Sequence, residues 1–381
     1  MKIVLAIDSF KGSLSTFRAA EAAREGILRV YPYAETSVCP LADGGEGTVE
    51  AFIGALGGRL ERVKVNDPLG QLIESSYGLI PKTKTAVIEM AKASGLTLIE
   101  DSKRNPMFTT TYGVGELIKD AVKKGCRSFI IGIGGSATND GGVGMLQALG
   151  FEFLDKDGKQ VPFGALGLKH IVSIKRDRAM KELDECSFLI ACDVTNPLCG
   201  EYGCSAVFGP QKGATPNDVI LMDGWLKNYA VLTKTVNPDS DSNYPGTGAA
   251  GGLGFAFLSY LNATLKSGID LIINETGIEE KIRNCDIVIT GEGRLDGQSC
   301  MGKAPIGVAK VAKKHGKSVL AFSGCVTDDA RECNKYGIDA FFPILRNVCS
   351  LEEAMDETNA YKNLADTVEQ VFRVKKSFEN V

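Results

Sequence analysis

Histidine is scarce in this sequence, and its scarcity narrows the chemistry that the chain can use. Only His170 and His315 occur among 381 residues, so zinc sites of cysteine and histidine, or a Ser-His-Asp triad, are not favoured. Proton transfer would depend mainly on carboxylates and lysines. The eleven cysteines form no Cys-x-x-Cys pair, which is typical of reduced thiols packed as small apolar residues.

Long apolar runs and basic runs are also missing. No apolar stretch approaches the length of a membrane span, and the run at residues 3–7 is too short for the core of a secretory signal. We therefore expect a cytoplasmic protein with no membrane partner. The net charge is -4 and no run rich in lysine or arginine occurs, which argues against a nucleic-acid partner.

The length of the chain predicts two domains. Strand-like runs alternate with helical periodicity in residues 1–58, 103–148 and 265–381, which predicts a Rossmann-like domain with a mainly parallel sheet. Residues 59–102 and 149–264 contain short successive strands and predict a mixed or antiparallel α/β domain inserted in the first. The expected fold class is therefore α/β.

A glycine-rich stretch follows the apolar run at residues 129–133, which predicts a buried parallel strand. Glycine lets the backbone approach a ligand and present its N–H groups to anionic oxygens, as in a phosphate or carboxylate cradle. The alternative is a tight strand-to-helix connection with surplus glycine. Residues 245–254 form a similar loop before an apolar helix predicted for residues 255–265, and close helix packing is the alternative there.

Polar residues follow several other predicted strands, where the ligands of open α/β sheets bind. An ordinary surface loop is the alternative for Asp8 and Lys11, and favourable interaction with a helix dipole is the alternative for Asp43 and Glu46. Lys212 precedes a turn glycine, where a solvated turn is the alternative. The candidates at strand ends and turns are Asp8, Ser9, Lys11, Asp43, Glu46, Asp193, Lys212, Glu292, Arg294 and Asp296.

Two nucleotide-binding motifs are matched only in part. Gly297 and the Gly302-Lys303 pair have the spacing of a P-loop, but Ala304 stands where a metal-binding Ser or Thr is required. Residues 132–137 fit a dinucleotide fingerprint, with Asp155 at a suitable distance for a ribose contact, but residues 138–142 are poor helix formers. A Walker ATPase is not favoured, and an NAD-dependent hydroxyacid dehydrogenase stays as an alternative.

Taken together, blocks spread along the chain resemble the bacterial type I glycerate kinases. They run in order from the first residues to beyond Pro305, and one departure is Ile7, where the family commonly has proline. The resemblance implies two unlike α/β domains around a cleft that holds the active site. It also implies transfer of the ATP γ-phosphoryl group to D-glycerate with Mg²⁺, commonly giving 2-phosphoglycerate. The blocks are residues 7–15, 42–48, 131–150, 191–198, 207–214, 245–254 and 289–296.

Phosphoryl transfer requires a phosphate cradle, a divalent metal, a cation and a carboxylate that orients the attacking hydroxyl group. We expect Asp193, or as second choice Asp296, to accept the hydroxyl proton, and Lys11 or Lys212 to neutralise developing charge. Arg294 suits the glycerate carboxylate, with Asp8 and Ser9 as further substrate contacts. The expected Mg²⁺ ligands are Asp43, Glu46 or Glu292. The expected nucleotide-binding residues are Gly134, Gly135, Ser136, Asn139, Gly248 and Gly251.

Several alternatives stay open at this point. The same kinase could give 3-phosphoglycerate, because the two glycerate hydroxyl groups lie on adjacent carbons. A binding protein that closes on a small anion without chemistry is the rival outside enzymology, although paired carboxylates would repel an anion unless a metal intervened. The sequence is compatible with a homodimer but does not predict one.

Overall fold

The computed structural model describes residues 1–42 and 44–379. In this described part the chain forms two compact units, the first from residues 1–42, 50–56 and 269–379 and the second from residues 44–49 and 57–268. The second unit is thus inserted in the chain of the first. The predicted α/β class, with two unlike domains, is confirmed. No helix among the described residues is long and apolar enough to cross a membrane.

The elements are numbered in chain order. The strands are β1 (Lys2–Ile7), β2 (Glu35–Val38), β3 (Arg59–Asn66), β4 (Leu72–Ile80), β5 (Thr85–Glu89), β6 (Ser128–Gly132), β7 (Glu152–Leu154), β8 (Ser173–Lys175), β9 (Ser187–Ala191), β10 (Thr264–Lys266), β11 (Ile287–Leu295), β12 (Ser318–Val326) and β13 (Ala340–Pro343). The α-helices are α1 (Thr16–Leu28), α2 (Thr48–Leu56), α3 (Ala91–Ser94), α4 (Tyr112–Lys123), α5 (Val143–Ala148), α6 (Ala165–Leu168), α7 (Cys204–Phe208), α8 (Pro216–Thr233), α9 (Ala249–Tyr260), α10 (Gly268–Thr276), α11 (Ile278–Arg283), α12 (Ala304–Lys314), α13 (Leu351–Met355) and α14 (Glu357–Glu379). Short 3₁₀ helices cover Leu96–Leu98, Asp101–Lys103, Lys181–Glu185, Pro210–Lys212, Ser299–Met301 and Asp328–Tyr336.

The first unit is built on a parallel sheet in the order β13-β12-β11-β1-β2. β1 is apolar and buried after its first residue, as expected for a parallel strand covered on both faces. α1 and α14 pack together beside this sheet, and their buried alanine and leucine residues join its core. Ser15 precedes a segment of helical periodicity, and Ser350 with Glu353 has the pattern of a capping box, so the sequence predicts a helix cap at each serine. Both caps are confirmed, because each side chain accepts a hydrogen bond from a backbone amide of the first turn.

The second unit contains a mixed sheet in the order β10-β9-β6-β5-β4-β3. β3, β4 and β5 pair antiparallel, as the short successive strands predicted, whereas β5, β6, β9 and β10 pair parallel. The sequence analysis grouped residues 103–148 with residues 1–58 and 265–381 in the Rossmann-like domain. The structure differs, because β6 pairs with β5 and β9 and so lies in the second unit. A βα unit has the same periodicity whichever sheet its strand joins.

Long-range pairing also changes two predicted elements. The helix expected over residues 255–265 ends at Tyr260, because Leu265 pairs with Ile190 of β9 in the short strand β10. The apolar run at residues 287–290 predicts a strand of that length, but the strand continues to Leu295, because β11 keeps its register with β12 past the glycines. Both segments follow their sheet neighbours rather than their local propensity.

Candidate active site

The second unit has a glycine-rich loop at residues 134–142, which we call the first glycine loop. β6 ends at Gly132 and α5 begins only at Val143, so the loop separates strand from helix. Gly135 has φ +75° and is exposed, whereas Ser136 to Asp140 are buried. The loop therefore exposes glycine backbone at its start and keeps its polar side chains inside. A dinucleotide fingerprint requires the helix to begin at once, so this connection disfavours the dehydrogenase.

Lys212 reaches into the first glycine loop. Its Nζ donates hydrogen bonds to Ser136 Oγ and to the Thr138 carbonyl oxygen, both at 2.7 Å, and the residue is only 2% exposed. Burial lowers the pKa of Lys212 to about 8, while Cys204 and Asp140 act in the opposite direction. The alternative of a solvated turn is therefore wrong for this lysine. At neutral pH the loop contains a desolvated positive charge.

Two buried polar atoms of the same loop are left without hydrogen bonds to the described residues. They are Thr138 Oγ1 and Asn139 Oδ1, although Asn139 Nδ2 donates to Ser205 Oγ at 2.9 Å. An unsatisfied buried polar atom costs about 1–3 kcal/mol, so such atoms point to a group that completes them. A hydroxyl group or a water molecule that donates would satisfy Asn139 Oδ1, and an acceptor oxygen of a bound molecule would satisfy the Thr138 hydroxyl group.

The second glycine loop, residues 248–252, overlaps the start of α9, where residues 250–252 have left-handed rather than helical backbone angles, and it packs directly against the first loop. Gly141 N donates to Gly251 O at 2.9 Å, and a Cβ at Gly251 would collide with the Thr138 carbonyl oxygen. Gly251 has φ +66°, a conformation that favours glycine. Gly248 N donates to Asn196 O at 2.9 Å. The alternative of close packing is thus observed at Gly251, and a contact of this loop with nucleotide stays a prediction.

Asp140 holds the first glycine loop in shape. Its carboxylate accepts hydrogen bonds from Thr111 N, Thr111 Oγ1 and Gly142 N at 2.8, 2.9 and 3.1 Å. Burial raises the pKa of Asp140, and these hydrogen bonds oppose the shift. This carboxylate therefore supports the loop from inside.

Glu89 is a buried carboxylate at a strand end that the sequence analysis did not single out. It lies at the carboxyl end of β5, level with Gly132 of β6, and is 2% exposed. Its Oε1 accepts a hydrogen bond from Val49 N at 2.9 Å, and Lys92 Nζ lies 3.8 Å from Oε2. The signal was available, because Glu89 is a polar residue at the end of a predicted strand, the criterion that identified Asp193.

Asp193 follows β9 and is exposed, and its Oδ1 accepts a hydrogen bond from Gly268 N at 3.0 Å. Ala191, the last residue of β9, pairs with Gly132, so these two strands end at the same level. Glu46 is exposed in the turn before α2. Asp43 lies outside the described residues.

The first unit contains a cavity of about 400 Å³ beyond the carboxyl ends of β1 and β11. We call it the carboxylate cavity. Every strand-end residue that the sequence analysis proposed from β1 and β11 lines it, which places them around one space. These residues are Asp8, Ser9, Lys11, Glu292, Arg294 and Asp296.

A hydrogen-bond network joins the two carboxylates of β11 and the turn after it. Ser299 Oγ donates to Glu292 Oε1 at 2.6 Å, and Ser299 N donates to Asp296 Oδ1 at 3.1 Å. Arg294 Nε lies 3.4 Å from Asp296 Oδ2. Burial raises the pKa of Glu292, and the Ser299 hydrogen bond and the charge of Lys303 oppose this shift.

Lys303 also belongs to this cavity, although the sequence analysis considered it only as part of an incomplete P-loop. Its Nζ lies 3.9 Å from Glu292 Oε2 and 3.8 Å from Asp296 Oδ1. The lining also includes the apolar residues Ile344, Leu351 and Met355. The cavity therefore combines cations, acidic oxygens and apolar side chains.

The donor set limits the metal that could bind. Among the described residues, no group of three or more His, Cys, Asp or Glu side chains is arranged to hold a metal ion. Mg²⁺ tolerates such a sparse set, because it usually keeps several waters and takes one or two carboxylates plus substrate phosphates. Glu292 and Asp296 fit that requirement.

Comparison with known proteins gives a consistent result. The model of the glycerate kinase family matches residues 3–376. A glycerate kinase of Haemophilus influenzae is 46% identical over 98% of each chain, and a glycerate 2-kinase of Escherichia coli is 46% identical over 96% of this chain and 95% of that one. A solved structure described as glycerate kinase 2 from Salmonella typhimurium superimposes with a TM-score of 0.92 at 43% identity over the whole of both chains. The chain belongs to the glycerate kinase family.

Proposed function

We propose that this chain transfers the γ-phosphoryl group of ATP to a hydroxyl group of D-glycerate, with Mg²⁺, and forms 2-phosphoglycerate. The observation that carries the proposal is the buried ammonium group of Lys212 in the first glycine loop, bonded to Ser136 and Thr138. A desolvated cation beside exposed glycine backbone is suited to phosphate oxygens. Family membership supports the same reaction class.

The first glycine loop is proposed to hold nucleotide phosphates through the backbone at Gly134 and Gly135 and the side chains of Ser136 and Asn139. The unsatisfied Asn139 Oδ1 and Thr138 Oγ1 support a ligand or ordered water here. The second glycine loop, with Gly248 and Gly251, supports the first by backbone contact. Lys212 carries its charge below pH 8 and would neutralise charge on the phosphates.

The carboxylate cavity is proposed to hold glycerate and Mg²⁺. Arg294 offers a planar fork of donors for the glycerate carboxylate, with Asp8, Ser9 and Lys11 around the same space. Glu292 and Asp296 would hold Mg²⁺, with Glu46 and Asp43 as further candidate ligands. When bound, the ion would neutralise charge on the transferring phosphoryl group. The Ser299 hydroxyl group orients Glu292 for that role.

Asp193 is the first candidate to accept the proton of the attacking hydroxyl group, and Asp296 is the second. The hydrogen bond from Gly268 N orients the exposed Asp193 carboxylate at its strand end. Asp296 accepts hydrogen bonds from the backbone amides of Gln298 and Ser299, and the side chains of Arg294 and Lys303 lie within 4 Å of its carboxylate.

Phosphorus NMR of a mixture of the protein, D-glycerate and Mg-ATP tests the proposal. We expect the resonance of 2-phosphoglycerate. The 3-phosphoglycerate resonance would show that the other hydroxyl group is phosphorylated. The absence of any phosphoglycerate would refute the proposed kinase activity.

Thermal stabilisation by single ligands separates the alternatives. We expect Mg-ATP to raise the melting temperature in the absence of glycerate. Stabilisation by glycerate but not by Mg-ATP would support a binding protein, and stabilisation by NADH would support a dehydrogenase.

A further inference from the structure

Two cysteines of the first unit lie side by side next to the carboxylate cavity. Cys300 is in the 3₁₀ helix Ser299–Met301, and Cys333 is in the 3₁₀ helix Asp328–Tyr336. Their Sγ atoms are 3.2 Å apart. Both are free thiols in this structure. Thirty-two residues separate them in sequence, so the fold alone brings them together.

The pair is connected to the polar network of the cavity. Cys300 directly follows Ser299, whose side chain and amide hold Glu292 and Asp296. Cys333 Sγ lies 3.9 Å from the carbonyl oxygen of Asp296. A covalent change at the two sulfurs would therefore act on the turn that orients both carboxylates.

The two thiols differ in their exposure. Cys300 is partly exposed, whereas Cys333 is fully buried. A small oxidant would meet Cys300 first, and Cys333 would then be the neighbouring thiol that resolves the oxidised sulfur.

Only a small movement separates this pair from a disulfide. An S–S bond is about 2.05 Å long, so the sulfurs must approach by roughly 1 Å. Gly302 follows the turn with φ +104°, and among the described residues no atom lies within 4 Å of a Cβ built there. The chain beside Cys300 thus has space in which to adjust.

We infer that Cys300 and Cys333 are an oxidative modification site at which a hydroperoxide forms a reversible intramolecular disulfide that slows phosphoryl transfer. The Cys300 sulfur attacks the peroxide O–O bond and becomes a sulfenic acid, and with hydrogen peroxide the leaving oxygen departs as water. The Cys333 sulfur then attacks the sulfenic sulfur, forming the S–S bond and releasing a second water. The two thiols lose two electrons and two protons, and the peroxide gains them. A dithiol reductant reverses the bond.

The modification itself does not depend on the proposed function, whereas its effect on activity does. Bond formation would pull Cys300 toward Cys333 and displace the adjacent Ser299 from the geometry of its hydrogen bonds to Glu292 and Asp296. Both carboxylates would lose the group that orients them, and with it their proposed contact with Mg²⁺.

Peptide mass spectrometry of the whole protein treated with hydrogen peroxide tests the bond directly. We expect a cross-linked peptide pair that contains Cys300 and Cys333, present in Cys349→Ser and absent in Cys300→Ser. Oxidised protein without this cross-link would overturn the site. Oxidation of Cys300 only to sulfinic or sulfonic acid would do the same.

Activity measured on the same samples tests the consequence. We expect at least a fivefold loss of glycerate phosphorylation after peroxide, recovery with dithiothreitol, and resistance in Cys300→Ser and Cys333→Ala. A cross-link without loss of activity would overturn the inhibitory effect. Protection by Cys325→Ser instead, an exposed cavity thiol, would also overturn it. Untreated protein that never phosphorylates glycerate would refute the proposed function and leave the mass measurement valid. If Cys333→Ala does not fold, Cys300→Ser, at a partly exposed position, still decides.

Discussion

The first glycine loop and the carboxylate cavity both lie at the carboxyl ends of parallel strands, yet they are built in different ways. The loop is shaped by backbone contacts, by Asp140 and by one lysine that is 2% exposed. The cavity is lined by ionisable side chains, among them Arg294 and Lys303, whose side chains are 66% and 40% exposed. The loop is therefore preorganised, whereas the cavity can adjust to its occupant.

Burial shifts the pKa of one ionisable group at each site, and the two shifts have opposite directions. It lowers the pKa of Lys212 and raises the pKa of Glu292, because the charged form of each group loses its water. At each site, an oppositely charged ligand would therefore stabilise the charged form of a buried group. The predictions below test whether the loop binds phosphate as a fixed cradle and the cavity binds metal and substrate.

The largest effect is expected for the proton acceptor. Asp193→Asn should lower kcat by about 10²–10⁴-fold and leave ATP affinity near normal, because an amide cannot accept the proton. Steady-state kinetics and nucleotide titration measure both quantities, with the exposed Asp177→Asn as control. A larger loss in Asp296→Asn that persists at saturating Mg²⁺ would move the proton acceptor to the carboxylate cavity, and turnover of Asp193→Asn like that of the unmodified protein would remove Asp193 from the role.

Lys212→Met should lower kcat/KM by about 10²–10³-fold, because the cation that neutralises phosphate charge is lost. The melting temperature should change little, because removal of a desolvated charge offsets the loss of the hydrogen bonds to Ser136 and Thr138. Calorimetry and kinetics should be compared with Lys234→Met, which changes an exposed lysine of the same unit. Full activity in Lys212→Met would refute the proposal that Lys212 neutralises phosphate charge in the first glycine loop.

The backbone contact between the glycine loops can be tested with two matched glycines. Gly251 and Gly277 have φ +66° and +69°, so alanine carries a similar conformational cost of about 1–2 kcal/mol at both. Among the described residues, no atom lies within 4 Å of a Cβ at Gly277, whereas the Thr138 carbonyl oxygen would clash at Gly251. Denaturant unfolding should show Gly251→Ala less stable than Gly277→Ala by roughly 1–3 kcal/mol. Equal losses of unfolding free energy in the two variants would show that the two glycine loops can move apart without further cost.

Ser299→Ala should raise the Mg²⁺ concentration required for half-maximal activity by about tenfold, because Glu292 loses the hydroxyl group that orients it. Lys212 does not depend on this turn, so the thermal shift caused by nucleotide without Mg²⁺ should not change. Ser318→Ala, at an exposed position of the same unit, is the matched control. An unchanged Mg²⁺ requirement would remove Glu292 from the metal site.

The smallest effect is the pH dependence of Lys212. With a pKa of about 8, the charged fraction of Lys212 falls about fourfold between pH 7 and 8.5, and kcat/KM should fall with it.

The free energy of unfolding should change in the opposite direction. The unfolded lysine titrates near 10.5, so between pH 8 and 10.5 the unfolded chain binds more protons and the free energy of unfolding rises with pH. Lys212→Met should lose this contribution to both trends, and an unchanged pH profile would contradict the assignment.

Local sequence patterns were sufficient to predict many structural features of this protein. The caps at Ser15 and Ser350, the antiparallel strands β3 to β5 and the polar residues that line the carboxylate cavity were predicted, and family membership is confirmed. These features follow from side-chain periodicity, from cap chemistry and from the rule that ligands bind where parallel strands end.

The sequence by itself determined the α/β class, the family and which segments end in polar residues, because the order of residues along the chain carries this information. Tertiary structure alone decided that β6 joins the second sheet, that Lys212 is buried in the first glycine loop, and that Cys300 meets Cys333. Each of these joins residues far apart in sequence. Long-range strand pairing and packing select such contacts, and no local pattern encodes them.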